Sequence, residues 1–158
     1  MSRAKPDDDW RATIAAGRAA LQEDPDNLAL VHDLAFALTE AAWTFDPDTP
    51  VLSREEAAGL AAEAVVLARR LVAAHPEEPT GLARLFWALH VTAHVLEETD
   101  PQQARAAYWE AAVVAQRRLA VDPDPDQVRE EMVWTLRDAA NLPGGDEREN
   151  AALLDQAM

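Results

Sequence analysis

The residues with the clearest potential for chemistry lie in the stretch HVTAHVLE, from His90 to Glu97. His90 and His94 are four residues apart and Glu97 follows three residues later, so all three side chains can face one side of a helix. Two imidazoles at that spacing can chelate zinc, nickel or iron, with a carboxylate as the third ligand. A further ligand or a water would have to come from another helix, where His32 or Glu130 could supply it. One hypothesis is therefore a metal-dependent enzyme or metal sensor.

Other catalytic arrangements are missing from the sequence. It contains no cysteine, which excludes disulfides, thiolate nucleophiles and cysteine metal sites. It has no glycine-rich phosphate loop, no HExxH motif and no G-x-S-x-G elbow, and PGG at 143–145 is typical of a helix stop. Carboxylate pairs such as Glu55–Glu56 fit helix starts and solvated faces. The sequence therefore predicts neither a reaction nor a cofactor, and we expect the protein not to be an enzyme.

The charge of the chain narrows the class of partner. Its 158 residues include 29 acidic and 14 basic ones, for a formal net charge of −15. This charge disfavours nucleic acids, whose phosphates need a basic surface, and it disfavours anionic membranes. The first residues do not resemble a signal peptide, and there is no apolar run of about 18 residues, so a cytoplasmic location is expected. A basic protein or peptide is compatible with the charge.

Helices must position these residues. Glycine and proline fall between apolar-periodic blocks and no segment shows sustained strand alternation, which predicts an all-α protein. Helix starts are indicated by the capping box of Ser53 with Glu56 and by Asp100 before Pro101. We predict residues 1–7 as a flexible N-terminus and 8–158 as one domain. The expected helices run from Asp7–Asp9 to Glu23, Leu28 to Thr44, Ser53 to Ala74, Thr80 to about Thr99, Asp100 to about 122, and Asp126 to about 141, with a short seventh over 146–157.

The same short word occurs three times along the chain. It reads LAFAL at 34–38, LFWAL at 85–89 and MVWTL at 132–136, and each copy follows a proline at the same offset. The prolines, Pro25, Pro76 and Pro123, lie 51 and 47 residues apart. EAVVLARR at 63–70 likewise matches EAAVVAQR at 110–117. These matches predict an array of helix hairpins with a period near 48 residues, in which stacking buries apolar stripes that one hairpin cannot bury alone.

The second helix of each predicted hairpin resembles that of a tetratricopeptide repeat (TPR). The matching stretches are QQARAAYWEAAVVAQRRLAVDP at 102–123, EAAGLAAEAVVLARRLVAAHP at 56–76 and GRAALQEDP at 17–25. The period exceeds the roughly 34 residues of the standard repeat, and is more similar to the longer TPR-like repeats of actinobacterial regulatory proteins. The resemblance implies stacked antiparallel hairpins forming a right-handed α-solenoid. It also implies a concave face, lined mainly by first helices, that binds peptides or proteins.

The first helices carry a second stripe opposite their core positions. On the fourth helix the leucines at 82, 85 and 89 share one sector, and Trp87, His90 and His94 lie nearly opposite. In one interpretation the stripe is a peptide groove, with aromatic rings as its floor and His90, His94 and Arg137 providing polar selection. In the other it is a second buried face, with the aromatics wedged between hairpins. The groove residues would be Phe36, Trp43, Trp87, His90, His94, Trp134 and Arg137.

The preferred hypothesis is a non-enzymatic protein-interaction module that binds a peptide or a partner helix, with its acidic rim favouring a basic ligand. Trp10 and Trp109 are interpreted as packing residues. The terminal helix, with Leu153 and Leu154, should cover the exposed face of the last hairpin. If it does not, these leucines would mark a homodimer interface. The protein is expected to be a monomer or a homodimer. Two alternatives remain, the metal site described above and a self-assembling structural subunit.

Overall fold

Six α-helices contain most of the residues that the structure describes. The computed structural model describes residues 6–48 and 51–144, together with Arg148, Ala151, Ala152 and Asp155. The secondary structure of these residues consists of helices joined by turns, and it contains no strand. This confirms the predicted all-α class. None of the described helices is long and apolar enough to cross a membrane. The helices are α1 (Pro6–Glu23), α2 (Leu28–Trp43), α3 (Arg54–Ala74), α4 (Pro79–Leu96), α5 (Pro101–Leu119) and α6 (Pro125–Asn141).

Side chains satisfy the free backbone amides at several helix starts. Ser53 accepts a hydrogen bond from the Glu56 amide at the start of α3, which is one half of the predicted capping box, and the Glu56 carboxylate pairs with Arg11. Asp100 accepts one from the Gln103 amide, and Pro101 occupies the first position of α5. These caps fix where each helix begins, and so set the register of the side chains that follow.

Two helices begin one residue earlier than predicted. α4 starts at Pro79 instead of Thr80, and α6 starts at Pro125 instead of Asp126. The physical reason is that proline has a backbone dihedral suited to the first helical position and needs no amide partner there. Asp124, the residue before Pro125, is therefore the one that caps α6.

Consecutive helices pack against each other, and α2 also packs against α4. The main hydrophobic core extends from Ile14 to Leu136 and draws on all six helices. A smaller cluster surrounds the fully buried Tyr108, between α4, α5 and α6. The predicted stripe lies on α2, α4 and α6, and its residues Phe36, Trp43 and Trp134 are exposed outside this core.

Two contacts recur at equivalent positions of successive hairpins. Arg18 pairs with Glu63 at 2.5 Å, and Arg69 pairs with Glu110 at 2.8 Å. The guanidinium of Arg70 donates to the Pro25 carbonyl, and that of Arg117 donates in the same way to the Pro76 carbonyl. Exposed pairs of this kind contribute only about 0–1 kcal/mol each. Their recurrence matters more for geometry, because the same atoms join α1 to α3 and α3 to α5.

Two sequence predictions fall mainly on the termini. Residues 1–5 lie outside the described residues, and α1 begins at Pro6, ahead of the expected Asp7–Asp9 cap. The seventh helix, predicted over 146–157, also falls largely outside them, as do Leu153 and Leu154. The described positions in that stretch, at 148, 151, 152 and 155, are helical and exposed.

Candidate functional site

The aromatic residues of the stripe are mostly accessible. Phe36 and Trp43 of α2 are 45% and 47% exposed, and Trp134 of α6 is 50% exposed. Trp87 of α4 is half-buried and packs against the main core. Phe36, Trp87 and Trp134 hold the same place in the three repeated words. The stripe therefore forms a surface along α2 and α6 and joins the core at α4.

A groove of about 400 Å³ lies between α2 and α4 on this surface. Phe36, Glu40 and Trp43 line it from α2, and Arg84 and Trp87 line it from α4. The Arg84 guanidinium lies over the Phe36 ring, 4.6 Å from its centroid. Partial burial lowers the pKa of Arg84, and the nearby Glu40 carboxylate acts in the opposite direction. The groove thus combines aromatic walls with one cation that is already engaged by the protein itself.

His90 differs from the predicted arrangement, because it is buried beneath the groove surface and only 6% exposed. Its ring lies 5.7 Å from the Trp43 ring and 5.2 Å from the Tyr108 ring, centroid to centroid, and stacks on Phe86. Nδ1 is 2.8 Å from the Thr135 hydroxyl. Side chains from α2, α5 and α6 therefore surround the His90 ring, together with Phe86 of its own helix.

Burial keeps His90 neutral. The loss of hydration, together with a smaller effect of the neighbouring His94, lowers the pKa of the His90 imidazole to about 4. The nearest carboxylate oxygen, on Asp138, is 3.9 Å from Nε2. At neutral pH the ring therefore bears one proton, which Nδ1 or Nε2 can carry depending on the direction of the hydrogen bond with Thr135.

A second polar group lies beside His90, at the C-terminal end of α4. The Tyr108 hydroxyl donates a hydrogen bond to Glu97, and His94 Nδ1 lies 4.0 Å from the same Glu97 oxygen. Burial and this hydrogen bond raise the pKa of Tyr108. Burial also raises the pKa of Asp138, and the negative charge of Glu97 raises it further, while His94 and the exposed Arg137 oppose this shift. The charges of Glu97 and Asp138 thus act on each other, and His94, 4.0 Å from a Glu97 oxygen, has its ring 5.1 Å from that of Trp43.

Sequence reasoning missed three members of these groups, namely Tyr108, Thr135 and Asp138. For Thr135 a signal exists, because the repeated words have alanine at the matching positions 37 and 88. A hydroxyl in place of a buried methyl indicates a hydrogen-bond partner on a neighbouring helix. The prediction of Trp109 as a packing residue holds only in part: it lines a small cavity beside Met132 but remains 44% exposed.

The predicted metal ligands do not converge. Across the residues that the structure describes, no three histidine or carboxylate side chains are arranged to hold a metal ion. His90 is engaged with Thr135, and Glu97 accepts from Tyr108. His32, suggested as a further ligand, lines a separate cavity near the start of α2. The arrangement on α4 favours a packed polar network beneath an aromatic surface.

Comparisons with protein-family models, with curated proteins and with solved structures found no match for this chain.

Proposed function

We propose that the protein is a non-enzymatic interaction module that binds a peptide or a partner helix along the stripe on α2, α4 and α6. In this proposal the helices form a TPR-like right-handed α-solenoid, and the stripe lines its concave face. The recurring contacts support such an array, since Arg18–Glu63 and Arg69–Glu110 join equivalent helices in the same way. The packing of α2 against α4 supports it as well, because first helices of adjacent hairpins are neighbours in a solenoid.

The observation that carries the proposal is the exposure of aromatic rings at equivalent positions. Phe36 and Trp134 occupy the same position of the repeated word. Phe36 is 45% exposed and Trp134 is 50% exposed. Tryptophan and other aromatics are the residues most often found at the energetic centres of protein interfaces. Together with Trp43 and the groove beside it, they provide a contact surface of the kind that a peptide uses.

The experiment is selection of peptides from a random library displayed on phage, with the purified protein as the immobilised target. Selected peptides are then measured against the Trp43→Ala/Trp134→Ala double variant by fluorescence anisotropy. The matched control is Trp109→Ala, which removes a tryptophan of similar exposure from α5. Far-ultraviolet circular dichroism establishes that each variant keeps its helical content.

We expect the double variant to lose at least tenfold in affinity while the control binds like the wild type, since buried tryptophans at an interface contribute about 2 kcal/mol or more each. Equal losses in both variants would place binding elsewhere, and peptides that bind the folded double variant normally would refute the stripe as the binding face. A library that yields no binder would refute the proposal itself.

A further inference from the structure

We propose that the groove between α2 and α4 takes an arginine side chain of the bound peptide, with its guanidinium stacked on Trp43 and its charge paired with Glu40. This inference rests on the proposed function and specifies the ligand at one position of the binding face. The occupant is thus a basic peptide segment of a partner protein.

The protein already uses this mode of contact within the same groove. Arg84 places its guanidinium 4.6 Å from the centroid of Phe36, where the ring quadrupole attracts a cation. The contact fills one aromatic wall of the groove. Trp43 and Trp87 also line the groove, and Trp43 leaves 47% of its surface exposed there.

Trp43 contacts two histidine rings and still remains partly exposed. Its ring lies 5.7 Å from His90 and 5.1 Å from His94, both tilted against it at 44°. His90 is in turn fixed by its hydrogen bond to Thr135. The indole nevertheless remains 47% exposed. A ring held in this way needs little reordering when a ligand stacks on it, which favours affinity.

The charges around Trp43 are predominantly negative. Glu40 lies three residues earlier on the same helix and is exposed; its carboxylate acts on Arg84, which lines the same groove, but forms no ion pair with any described residue. His94, which contacts Trp43, lies 4.0 Å from a Glu97 carboxylate oxygen, and the negative charge of Glu97 contributes to the raised pKa of Asp138. The Arg137 cation opposes that rise, and an incoming cation near Asp138 would act in the same direction. The local field therefore favours a basic side chain, as does the net charge of −15.

The shape of the cation favours arginine over lysine as the occupant of the groove. A guanidinium is planar, so it can stack flat on an indole and still donate hydrogen bonds in its own plane to a carboxylate at the ring edge. An ammonium group is compact and strongly hydrated, and cannot make both contacts in that geometry. The volume of about 400 Å³ is ample for one long side chain.

The test uses a peptide selected on the wild-type protein in the experiment above. Each arginine is replaced in turn by citrulline, which keeps the shape of the side chain and removes its charge, and separately by lysine. We expect one arginine at which citrulline weakens binding about tenfold and lysine weakens it by a smaller factor. The same citrulline exchange should have little effect on binding to Glu40→Gln or to Trp43→Ala. Glu77→Gln, which removes an exposed charge from the turn before α4, is the control and should retain the full tenfold effect.

Two outcomes would overturn the inference and leave the proposed function standing. One is a set of peptides that need Trp43 and Trp134 yet contain no arginine sensitive to citrulline. The other is a citrulline effect of the same size in wild type and in Glu40→Gln. Should Trp43→Ala lose helical content, Trp43→Phe serves in its place, since it keeps an aromatic ring of smaller surface and should reduce the citrulline effect by a few-fold.

Discussion

Mild acid is expected to destabilise the protein through His90. The buried imidazole has a pKa of about 4 in the folded protein, whereas an imidazole in an unfolded chain has a pKa of about 6.5. Between these values the unfolded state binds more protons, so stability falls as the pH drops from about 6.5 towards 4 and is fully retained above 6.5. At about pH 5 the linkage relation gives a loss of about 2 kcal/mol from this one group.

The assay is urea denaturation at about pH 7.5 and about pH 5, followed by circular dichroism. The variant is His90→Gln, which keeps a hydrogen-bonding group near Thr135 but does not titrate. Because Asp138, Glu97 and the other carboxylates are present in both proteins, comparing the two isolates the histidine. We compare the free energy of unfolding of the wild type with that of the variant at each pH. The wild-type value minus the variant value should be about 2 kcal/mol smaller at about pH 5 than at about pH 7.5.

The control is His75→Gln, since His75 is exposed in the turn before α4 and loses little hydration on folding. The free energy of unfolding of the His75→Gln variant should change between the two pH values by the same amount as that of the wild type. Parallel changes in wild type and His90→Gln would refute the reasoning, because they would mean that His90 is not held neutral by burial.

Two further predictions concern buried polar contacts. Arg118→Met should cost about 3–5 kcal/mol in urea denaturation, because it leaves the buried Glu131 carboxylate, 2.5 Å from the guanidinium, without its counter-charge. Adding Glu131→Leu should recover most of that loss, and a single variant as stable as the wild type would contradict the role of the pair. Thr135→Val should cost about 1–3 kcal/mol by thermal unfolding, because His90 Nδ1 loses its partner. Thr92→Val is the control: its hydroxyl bonds only to a carbonyl of its own helix, so an equal loss there would refute a specific effect.

Helix positions were predictable because local interactions decide them. The Ser53 capping box and the Asp100–Pro101 pair are contained in four consecutive residues or fewer, so the sequence alone specifies them. The starts of α4 and α6 were misplaced by one residue because a polar side chain was taken as the cap where proline begins the helix. That error is also local, and the position of Pro79 or Pro125 would have corrected it.

The candidate site was predictable only in part, because its composition depends on which helix covers which face. A helical wheel places His90 on the same side as Trp87, but it cannot show which side chains of other helices surround it. Trp43, Tyr108 and Thr135 bury His90, whereas Trp43 itself remains accessible. The contribution of Tyr108 from α5 likewise requires the packing of three helices, which no spacing along one helix encodes.

The recurring contacts between hairpins also bear on how fast and in what order the chain folds. The hydrogen bonds that join next-but-one helices, such as Arg18 to Glu63 and Arg117 to Pro76, span only 41–45 residues. The packed helix pairs are all consecutive or next but one. Helical proteins, in which many contacts lie within a helix or between neighbouring helices, fold in about microseconds to milliseconds, since little loop entropy is lost before each of those contacts forms. The segment from α1 to α3 can therefore assemble during synthesis, before α6 has left the ribosome, and serve as the template on which each later helix docks.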